Sequence, residues 1–283
     1  MIASAASRSS PLAVVLGTLL ALAPAPALAG PINTDKPRSN EDEPGLSTQA
    51  GASVAVSAGN VRRSQLALSG SLGWQRMFAE GPPRPGREQP PWLRDQLLLV
   101  GNALLITAYG QRVTNSSFAH GRWVHAWHPR LFNTLFSQIQ YDEQRALQRR
   151  VLLGLGLGLV PVHRRRLRLR LSTGYMVEFE RNRILPGDTH PVAPINHRMS
   201  NVLIAALGIL PDRALQLRST TYFQPRFDAP SDFRMLESVQ LEGAIDRRLA
   251  LGLDASFEYD SRPPLGVRRE DITVSSYIRV ALP

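Results

Sequence analysis

Residues 166–180 alternate between two kinds of side chain, and this pattern is compatible with few folds. The odd-numbered positions are Leu167, Leu169, Leu171, Thr173, Tyr175, Val177 and Phe179. The even-numbered positions are Arg166, Arg168, Arg170, Ser172, Gly174, Met176, Glu178 and Glu180. Successive side chains of a strand point to opposite faces, so a strand here has one apolar and one charged face. A helix would spread the arginines around its circumference. The segment is therefore predicted to be a β-strand.

The same two-residue period recurs along the chain, in segments of roughly ten residues separated by turn-forming residues. Leucines alternate with glycines over residues 151–159, and apolar residues alternate with small or acidic ones over residues 249–260. Similar segments occupy residues 66–74 and 272–282. We count about twelve, each long enough to cross a bilayer as a tilted strand of ~9–11 residues.

The connections past the middle of the chain alternate between short and long. The short ones lie near residues 161–165, 211–213 and 246–248, and the long ones at 181–196, 225–232 and 261–271. Barrels of the outer membrane have short periplasmic turns and long outer loops. An earlier connection, residues 79–92, is long and Pro-rich and departs from this alternation.

Strand pairing then predicts the fold. About twelve amphipathic strands joined as hairpins must hide their edges, and closure removes the edges altogether. A soluble barrel cannot pack Arg166, Arg168 and Arg170 into a dry core and would expose its leucines to water. We therefore predict an all-β fold, an antiparallel transmembrane β-barrel of about 12 strands, formed by residues 46–283.

The N-terminus indicates export to the bacterial outer membrane. Residues 1–29 have the form of a secretory signal, with Arg8 before an apolar run and a small-x-small ending at Ala27-Leu28-Ala29. Cleavage is expected after Ala29. Residues 30–45 are polar and contain three prolines and an acidic patch, so we expect a flexible lead-in to the barrel.

The formal net charge of +10 raises the question of nucleic acid as a partner. Export argues against it. The expected neighbours are outer-membrane lipid and lipopolysaccharide, together with the barrel-assembly machinery during insertion. Basic residues at the predicted periplasmic turns are expected to lie beside anionic head groups: His163, Arg164, Arg165, Arg213, Arg247 and Arg248.

The charged face of the strands supplies the candidate functional residues. The candidates for lining the lumen are Arg166, Arg168, Arg170, Glu178, Arg218, Glu242, Asp254 and Glu258. A hairpin turning near His163 would place Gly158 opposite Arg168 and Gly156 opposite Arg170, which leaves room for the guanidinium groups. The arginines either select anions in a narrow channel or pair with the carboxylates and brace a closed interior.

Other chemistry has weaker support in the sequence. His120, His125 and His128 cluster, but residues 120 and 125 point to opposite faces of a strand, so we expect no metal site. Trp123 and Trp127 are expected to form a belt at the membrane interface. No cofactor motif is complete, because no lysine and helix follow the glycines of residues 154–158. We expect no enzyme; the alternative is an outer-membrane phospholipase, although no Gly-x-Ser-x-Gly motif is present.

Three groups of residues occur in order along the chain: Ser57-Ala58-Gly59-Asn60 with Leu66-Ala67-Leu68, Gln140-Tyr141-Asp142 with Arg149-Arg150 and residues 154–158, and residues 259–264 with Asp271-Ile272-Thr273. Together they resemble the salt-induced outer-membrane protein family, a domain-of-unknown-function family of Gram-negative bacteria. The resemblance implies an outer-membrane barrel of undefined role, with an envelope or osmotic-stress component as one possibility. The terminal Pro283 departs from the aromatic residue common in such barrels.

Overall fold

The computed structural model describes residues 31–34, 44–59, 62–78, 91–210, 214–246 and 249–280. The predicted signal, residues 1–29, lies outside this part of the chain, as do most of the Pro-rich connection, residues 79–90, and the turn arginines Arg213, Arg247 and Arg248. In the described ranges, no helix has the length and apolar character needed to cross a membrane.

Thirteen strands make up the described structure. They are β1 Gly45–Ser57, β2 Arg63–Met77, β3 Leu93–Ala108, β4 Gln111–His128, β5 Leu131–Asp142, β6 Leu147–His163, β7 Leu167–Asn182, β8 Ile195–Met199, β9 Asn201–Gly208, β10 Leu215–Pro225, β11 Phe233–Ala244, β12 Leu249–Asp260 and β13 Glu270–Val280.

All the strands belong to one antiparallel sheet, in which each strand except β8 and β9 pairs with its neighbours in sequence. Strands β8 and β9 both pair with β7 and are separated by Ser200, whose amide donates to the carbonyl of Gly174 at 2.8 Å. They occupy one position in the sheet. The sheet therefore has twelve strand positions, which confirms the predicted all-β fold of about twelve strands.

The sheet is rolled around an interior. Contacts between strands that are far apart in the sheet carry this conclusion: Glu178 on β7 bonds to Arg234 on β11, and Arg145 after β5 reaches Glu258 on β12. The outermost strands are β1 and β13, and no ladder joins these two among the described residues.

The two ends of the sheet differ. We call the end that carries the connections 143–146, 183–194, 226–232 and 261–269 the loop end, and the end that carries 129–130, 164–166, 209–214 and 245–248 the turn end. Past β6 the connections alternate between long and short, as the sequence predicts.

Side chains are distributed inside out relative to a soluble protein. On β6, Leu153, Leu155 and Leu157 are 49%, 57% and 56% exposed, whereas the interior residues Glu178 and Arg198 are each 1% exposed. The alternation on β7 has the predicted parity, because its even-numbered positions from 168 to 180 face inward and its odd-numbered leucines face outward.

The predicted register of the β6–β7 hairpin is wrong by four residues. Gly158 lies opposite Ser172 and Gly156 opposite Gly174, rather than opposite the two arginines. The strand β6 does not stop at Pro161 but continues to His163, and the register shifts between Leu159 and Val162. A proline, which cannot donate a ladder hydrogen bond, is tolerated at such an irregularity. The turn consequently lies at residues 164–166.

Candidate functional site in the barrel interior

Seven of the eight predicted lumen residues lie on the inner face of the sheet: Arg168, Arg170, Glu178, Arg218, Glu242, Asp254 and Glu258. The eighth, Arg166, does not. It lies in the turn between β6 and β7 and is exposed, because β7 begins one residue later, at Leu167.

The loop-end half of the interior is built around the carboxylate of Glu178. Its Oε1 accepts hydrogen bonds from the Asn196 side chain at 2.9 Å and from Nε of Arg198 at 3.2 Å. Its Oε2 accepts one from Nη1 of Arg234 at 2.5 Å and lies 3.4 Å from Nε of Arg150. One carboxylate is thus shared by three arginines from β6, β8 and β11.

The same three arginines bind further carboxylates. Glu180 contacts Arg150 at 2.6 Å and Arg234 at 3.0 Å. Arg234 also donates to Asp260 at 2.9 Å, and Arg198 to Asp232 at 2.9 Å. We call this set the loop-end network: Arg150, Glu178, Glu180, Arg198, Asp232, Arg234 and Asp260.

The loop-end network satisfies the condition under which charges can be buried. Taking an ion out of water costs several kcal/mol unless counter-charges and hydrogen bonds replace its hydration. Arg198, for example, is 1% exposed and also donates to the backbone carbonyls of Gln224 and Asp232, at 3.1 and 3.2 Å. Four carboxylates face three guanidinium groups, so the ion pairs link β6, β7, β8, β11 and β12 into one braced unit.

Sequence reasoning identified Glu178 but missed the other six members of the loop-end network. The parity of positions along a strand could have identified several of them. Glu180 has the same parity as Glu178 on β7, Arg234 has the parity of Glu242 on β11, and Arg150 has the parity of the inward glycines on β6. The pairing of particular arginines with particular carboxylates needed the register.

The turn-end half of the interior has a different construction. A cavity of about 170 Å³ there is lined by Arg122, Arg168, Arg170 and Arg218. The guanidinium of Arg170 lies 4.2 Å from the centre of the Phe132 ring. Such a contact between a cation and an aromatic face is favourable.

Gly154 and Gly158 on β6 lie against aromatic rings, and Gly158 does not face the guanidinium group predicted for it. A Cβ on Gly154 would lie 2.2 Å from the ring of Phe136, and one on Gly158 would lie 2.1 Å from the ring of Phe132. Both rings come from β5. They can occupy this space because Gly154 and Gly158 have no side chains.

Four residues of the predicted lead-in lie inside the barrel. Ile32 and Thr34 are 6% and 5% exposed, and the side-chain Nδ2 of Asn33 donates to the hydroxyl of Ser238 on β11 at 2.9 Å. Ile32 and Thr34 line a second cavity, which shares Arg122, Phe132 and Arg170 with the first. Residues 31–34 are thus packed against the sheet, in contrast to the flexible segment expected there.

Two of the three clustered histidines, His120 and His125, lie on opposite faces of β4. His120 faces inward, and its Nδ1 lies 3.2 Å from the side-chain oxygen of Gln138. His125 lies on the outer face, with Nδ1 2.6 Å from Asp95, which also pairs with Arg76. Across the described ranges, no group of three or more His, Asp or Glu residues is arranged to hold a metal ion.

Outside the barrel, the loop end is tied together by hydrogen bonds between loops. The carboxylate of Asp188 accepts the amides of His190 at 2.9 Å and Leu265 at 2.8 Å. These two donors hold the pKa of Asp188 below its usual range. In the neighbouring loop Arg226 pairs with Asp228, which lowers the pKa of Asp228 and raises that of Arg226.

Comparison with known proteins adds a family and a structural likeness. No curated protein matches the chain. Among solved structures, the NanC porin in a rhombohedral crystal form aligns with a TM-score of 0.45 and 9% sequence identity, over 83% of this chain and 99% of the porin chain. A family model matches residues 92–278, from the end of the Pro-rich connection to β13. The chain belongs to the family described as protein of unknown function, DUF481.

Proposed function

We propose that the protein is a non-enzymatic barrel of the bacterial outer membrane, an envelope component whose narrow lumen carries arginine. One observation carries this proposal: leucines on the outer wall are about half exposed while ion pairs inside are buried. Contact of these leucines with water is unfavourable, whereas contact with hydrocarbon is favourable, because each methylene removed from water contributes about 0.8 kcal/mol of transfer free energy.

Residues at the turn end support the proposal that a membrane boundary lies there. Trp74, Trp123 and Trp127 are 41%, 43% and 59% exposed on strands that end there. Tryptophan favours the boundary between lipid and water. The exposed Arg164 and Arg165 lie in a turn at the same end and would meet anionic head groups. Phospholipid and lipopolysaccharide are therefore the proposed neighbours.

Cell fractionation tests the location. The mature chain is expected in the outer-membrane fraction, soluble only with detergent. Its folded form should migrate differently from the boiled form in a gel, because an intact barrel resists unfolding by the gel detergent. Recovery as a soluble monomer among periplasmic proteins would contradict the proposal.

A narrow, braced lumen is favoured over a wide channel. The loop-end network joins strands from opposite parts of the wall, and Ile32, Asn33 and Thr34 occupy interior space beside β11. Purified protein in planar bilayers is expected to show no large conductance. Regular current steps comparable to those of a general porin, measured beside such a porin as the positive control, would overturn this part of the proposal.

The phospholipase alternative requires a histidine within hydrogen-bond reach of a nucleophile. His125 is held by Asp95 as a catalytic base would be, at 2.6 Å. Its ring stacks on Trp123 at 5.8 Å, and Asp95 is occupied by Arg76. On the outer wall, Nδ1 of His197 lies 2.5 Å from the hydroxyl of Tyr175. A tyrosine hydroxyl is a poor nucleophile. These contacts support a structural role.

Detergent-solubilised protein incubated with phospholipid vesicles tests the absence of catalysis. No fatty acid release above that of a detergent blank is expected. Release that is lost in His125→Gln but retained in His190→Gln, a loop histidine, would overturn the proposal in favour of an enzyme.

The family resemblance implies a barrel of undefined role, and a part in osmotic stress is a further element of the proposal. A deletion strain is expected to grow more slowly than its parent at high salt and equally well at low salt. Equal growth under both conditions would contradict it without affecting the assignment of the fold.

A further inference from the structure

Residues 31–34 lie at about the middle height of the barrel interior. The side chain of Asn33 bonds to that of Ser238 on β11. On the same strand, Arg234 of the loop-end network lies four residues toward the loop end, and Glu242 lies four residues toward the turn end. The segment is therefore placed between the loop-end network and the turn-end cavity.

The segment is surrounded by more than half of the wall. Ile32 and Thr34 line a cavity of about 70 Å³, whose other lining residues come from β4, β5, β6, β7, β9 and β10 and from Ser200. The hydrogen bond of Asn33 adds β11. These strands occupy seven consecutive positions of the twelve in the sheet, so the segment lies across the lumen rather than along a single strand.

The chemistry of the surrounding wall suits the segment. The same cavity is lined by the apolar side chains of Phe136, Val202 and Ile204 and by the amide side chains of Gln138 and Gln224. Burial of an aliphatic side chain such as that of Ile32 is favourable because it removes apolar surface from water. The polar side chains of Asn33 and Thr34 require hydrogen-bonding surroundings when they are buried, and a wall with amide groups provides them.

The position of the segment also bears on the route through the lumen. The turn-end cavity and the cavity around the segment meet at Arg122, Phe132, Arg170 and Ile204, which line both. On the opposite side, Gln224 lines the second cavity, and its backbone carbonyl accepts a hydrogen bond from Arg198 of the loop-end network. A solute that moved from the turn end toward this network would meet residues 31–34 on the way.

We propose that residues 31–34 are an internal plug that closes the lumen between the turn-end cavity and the loop-end network. The inference rests on the proposed function, an outer-membrane barrel with a narrow lumen, and names the segment of the chain that closes it. Removal of the plug would extend the turn-end cavity as far as the loop-end network, which would still close the loop end.

Labelling of single introduced cysteines in the full-length mature protein, in a non-ionic detergent, tests the proposal, because the chain has no cysteine of its own. Thr134→Cys is the inner reporter, since Thr134 lines the cavity around the segment and its Oγ1 has no hydrogen-bond partner among the described residues. Ala206→Cys is the outer reporter, since Ala206 lines the turn-end cavity but not the second one. The inner reporter is expected to react roughly tenfold more slowly with 2-sulfonatoethyl methanethiosulfonate, because the reagent must wait for the plug to open locally. Each rate is divided by that of the same chain unfolded in urea.

Variants of the segment test whether it is the cause of the slow reaction. Ile32→Lys replaces a buried aliphatic side chain with an ammonium group, whose burial is strongly unfavourable, so the segment should leave its site. The rate of the inner reporter should then rise roughly tenfold, while that of the outer reporter stays unchanged. Ile32→Val is the matched control, because it keeps an apolar side chain and should alter neither rate. Deletion of residues 31–34 is a second variant and should act as Ile32→Lys does.

Two results would overturn the proposal: equal rates of the two reporters when Ile32 is present, or an inner reporter whose rate rises neither in Ile32→Lys nor in the deletion. Each variant must keep the gel migration of the folded barrel, which separates loss of the plug from loss of the fold. A protein that fractionates with the outer membrane but shows either result keeps the proposed function and loses only the plug. Recovery as a soluble monomer would instead refute the proposed function, whatever the labelling rates.

Discussion

The two halves of the interior place similar residues in opposite arrangements. At the loop end, Arg150, Arg198 and Arg234 share the carboxylate of Glu178 within 3.4 Å and are almost fully buried. At the turn end, Arg168, Arg170 and Arg218 lie around a cavity whose described lining contains no acidic residue. The first half is filled by matched charges and the second by rings over glycines, with space remaining.

This difference shows why a charged strand face does not by itself specify a pore. Matched charges tie strands together because each group replaces the hydration of the other, and removing one leaves its partner buried without compensation. At the turn end, the ring of Phe132 fills the space above Gly158 instead. The loop-end half should therefore be sensitive to loss of a carboxylate, and the turn-end half to the volume of its side chains.

The largest effect is expected for Glu178→Gln. The neutral amide keeps the volume but leaves Arg150, Arg198 and Arg234 with less compensation, and we expect a loss of about 3–5 kcal/mol in the free energy of unfolding. Denaturant unfolding of the barrel in detergent micelles measures it. Glu270→Gln, at an exposed position on β13, is the control. Equal stability of the two variants would remove the distinction between the halves.

A smaller loss is expected for Gly174→Ala, at the middle of β7. The added Cβ would lie 2.2 Å from the carbonyl oxygen of Leu155 and 2.6 Å from the Cα of Gly156, so β6 and β7 must shift apart. Overpacking of this kind costs about 1–3 kcal/mol. Gly70→Ala on β2 is matched, because its nearest atom is the Gln49 carbonyl oxygen at 3.8 Å. A loss from Gly70→Ala as large as that from Gly174→Ala would refute the explanation.

The contact between Asn33 and Ser238 is expected to contribute less to the free energy of unfolding than the features changed above. Asn33→Ala and Ser238→Ala each remove one side of the 2.9 Å hydrogen bond. A double-mutant cycle on the unfolding free energy is expected to yield a coupling of about 0.5–1.5 kcal/mol. A coupling of zero would mean that Asn33 and Ser238 do not interact in the folded protein.

The smallest effect concerns the loops above the loop-end network. The pKa of Asp188 is lowered by the amides of His190 and Leu265, so the stabilisation exists above the unfolded aspartate pKa and is lost as the pH falls through the lower folded value. In NMR spectra the Leu265 amide should titrate with a midpoint below about 3.9.

Asp188→Asn supplies the control for that titration, because the amide side chain does not ionise. Its Leu265 amide signal should stay constant over the same pH range. A wild-type midpoint at or above about 3.9 would contradict the assignment of the two amides as the cause of the lowered pKa.

Much of the fold follows from the period of two in the sequence. The parity on β7 correctly places Arg168, Arg170 and Glu178 inside and the leucines outside, because side chains of a strand alternate by geometry. Parity cannot locate a turn to the residue. The sequence predicts a connection that begins near Pro161, but a register irregularity accommodates the proline within β6. Arg166 therefore lies in the exposed turn, and Gly156 and Gly158 face other residues.

The sequence by itself determined an antiparallel sheet of about twelve strand positions with one apolar and one charged face, since those properties depend only on neighbours along the chain. Tertiary structure alone decided which charges meet. Glu178 and Arg234 are 56 residues apart in the sequence, and two other strand positions lie between their strands. The curvature of the sheet brings Nη1 of Arg234 to 2.5 Å from Oε2 of Glu178. The burial of Ile32 and Thr34 likewise depends on the space that the rolled sheet encloses.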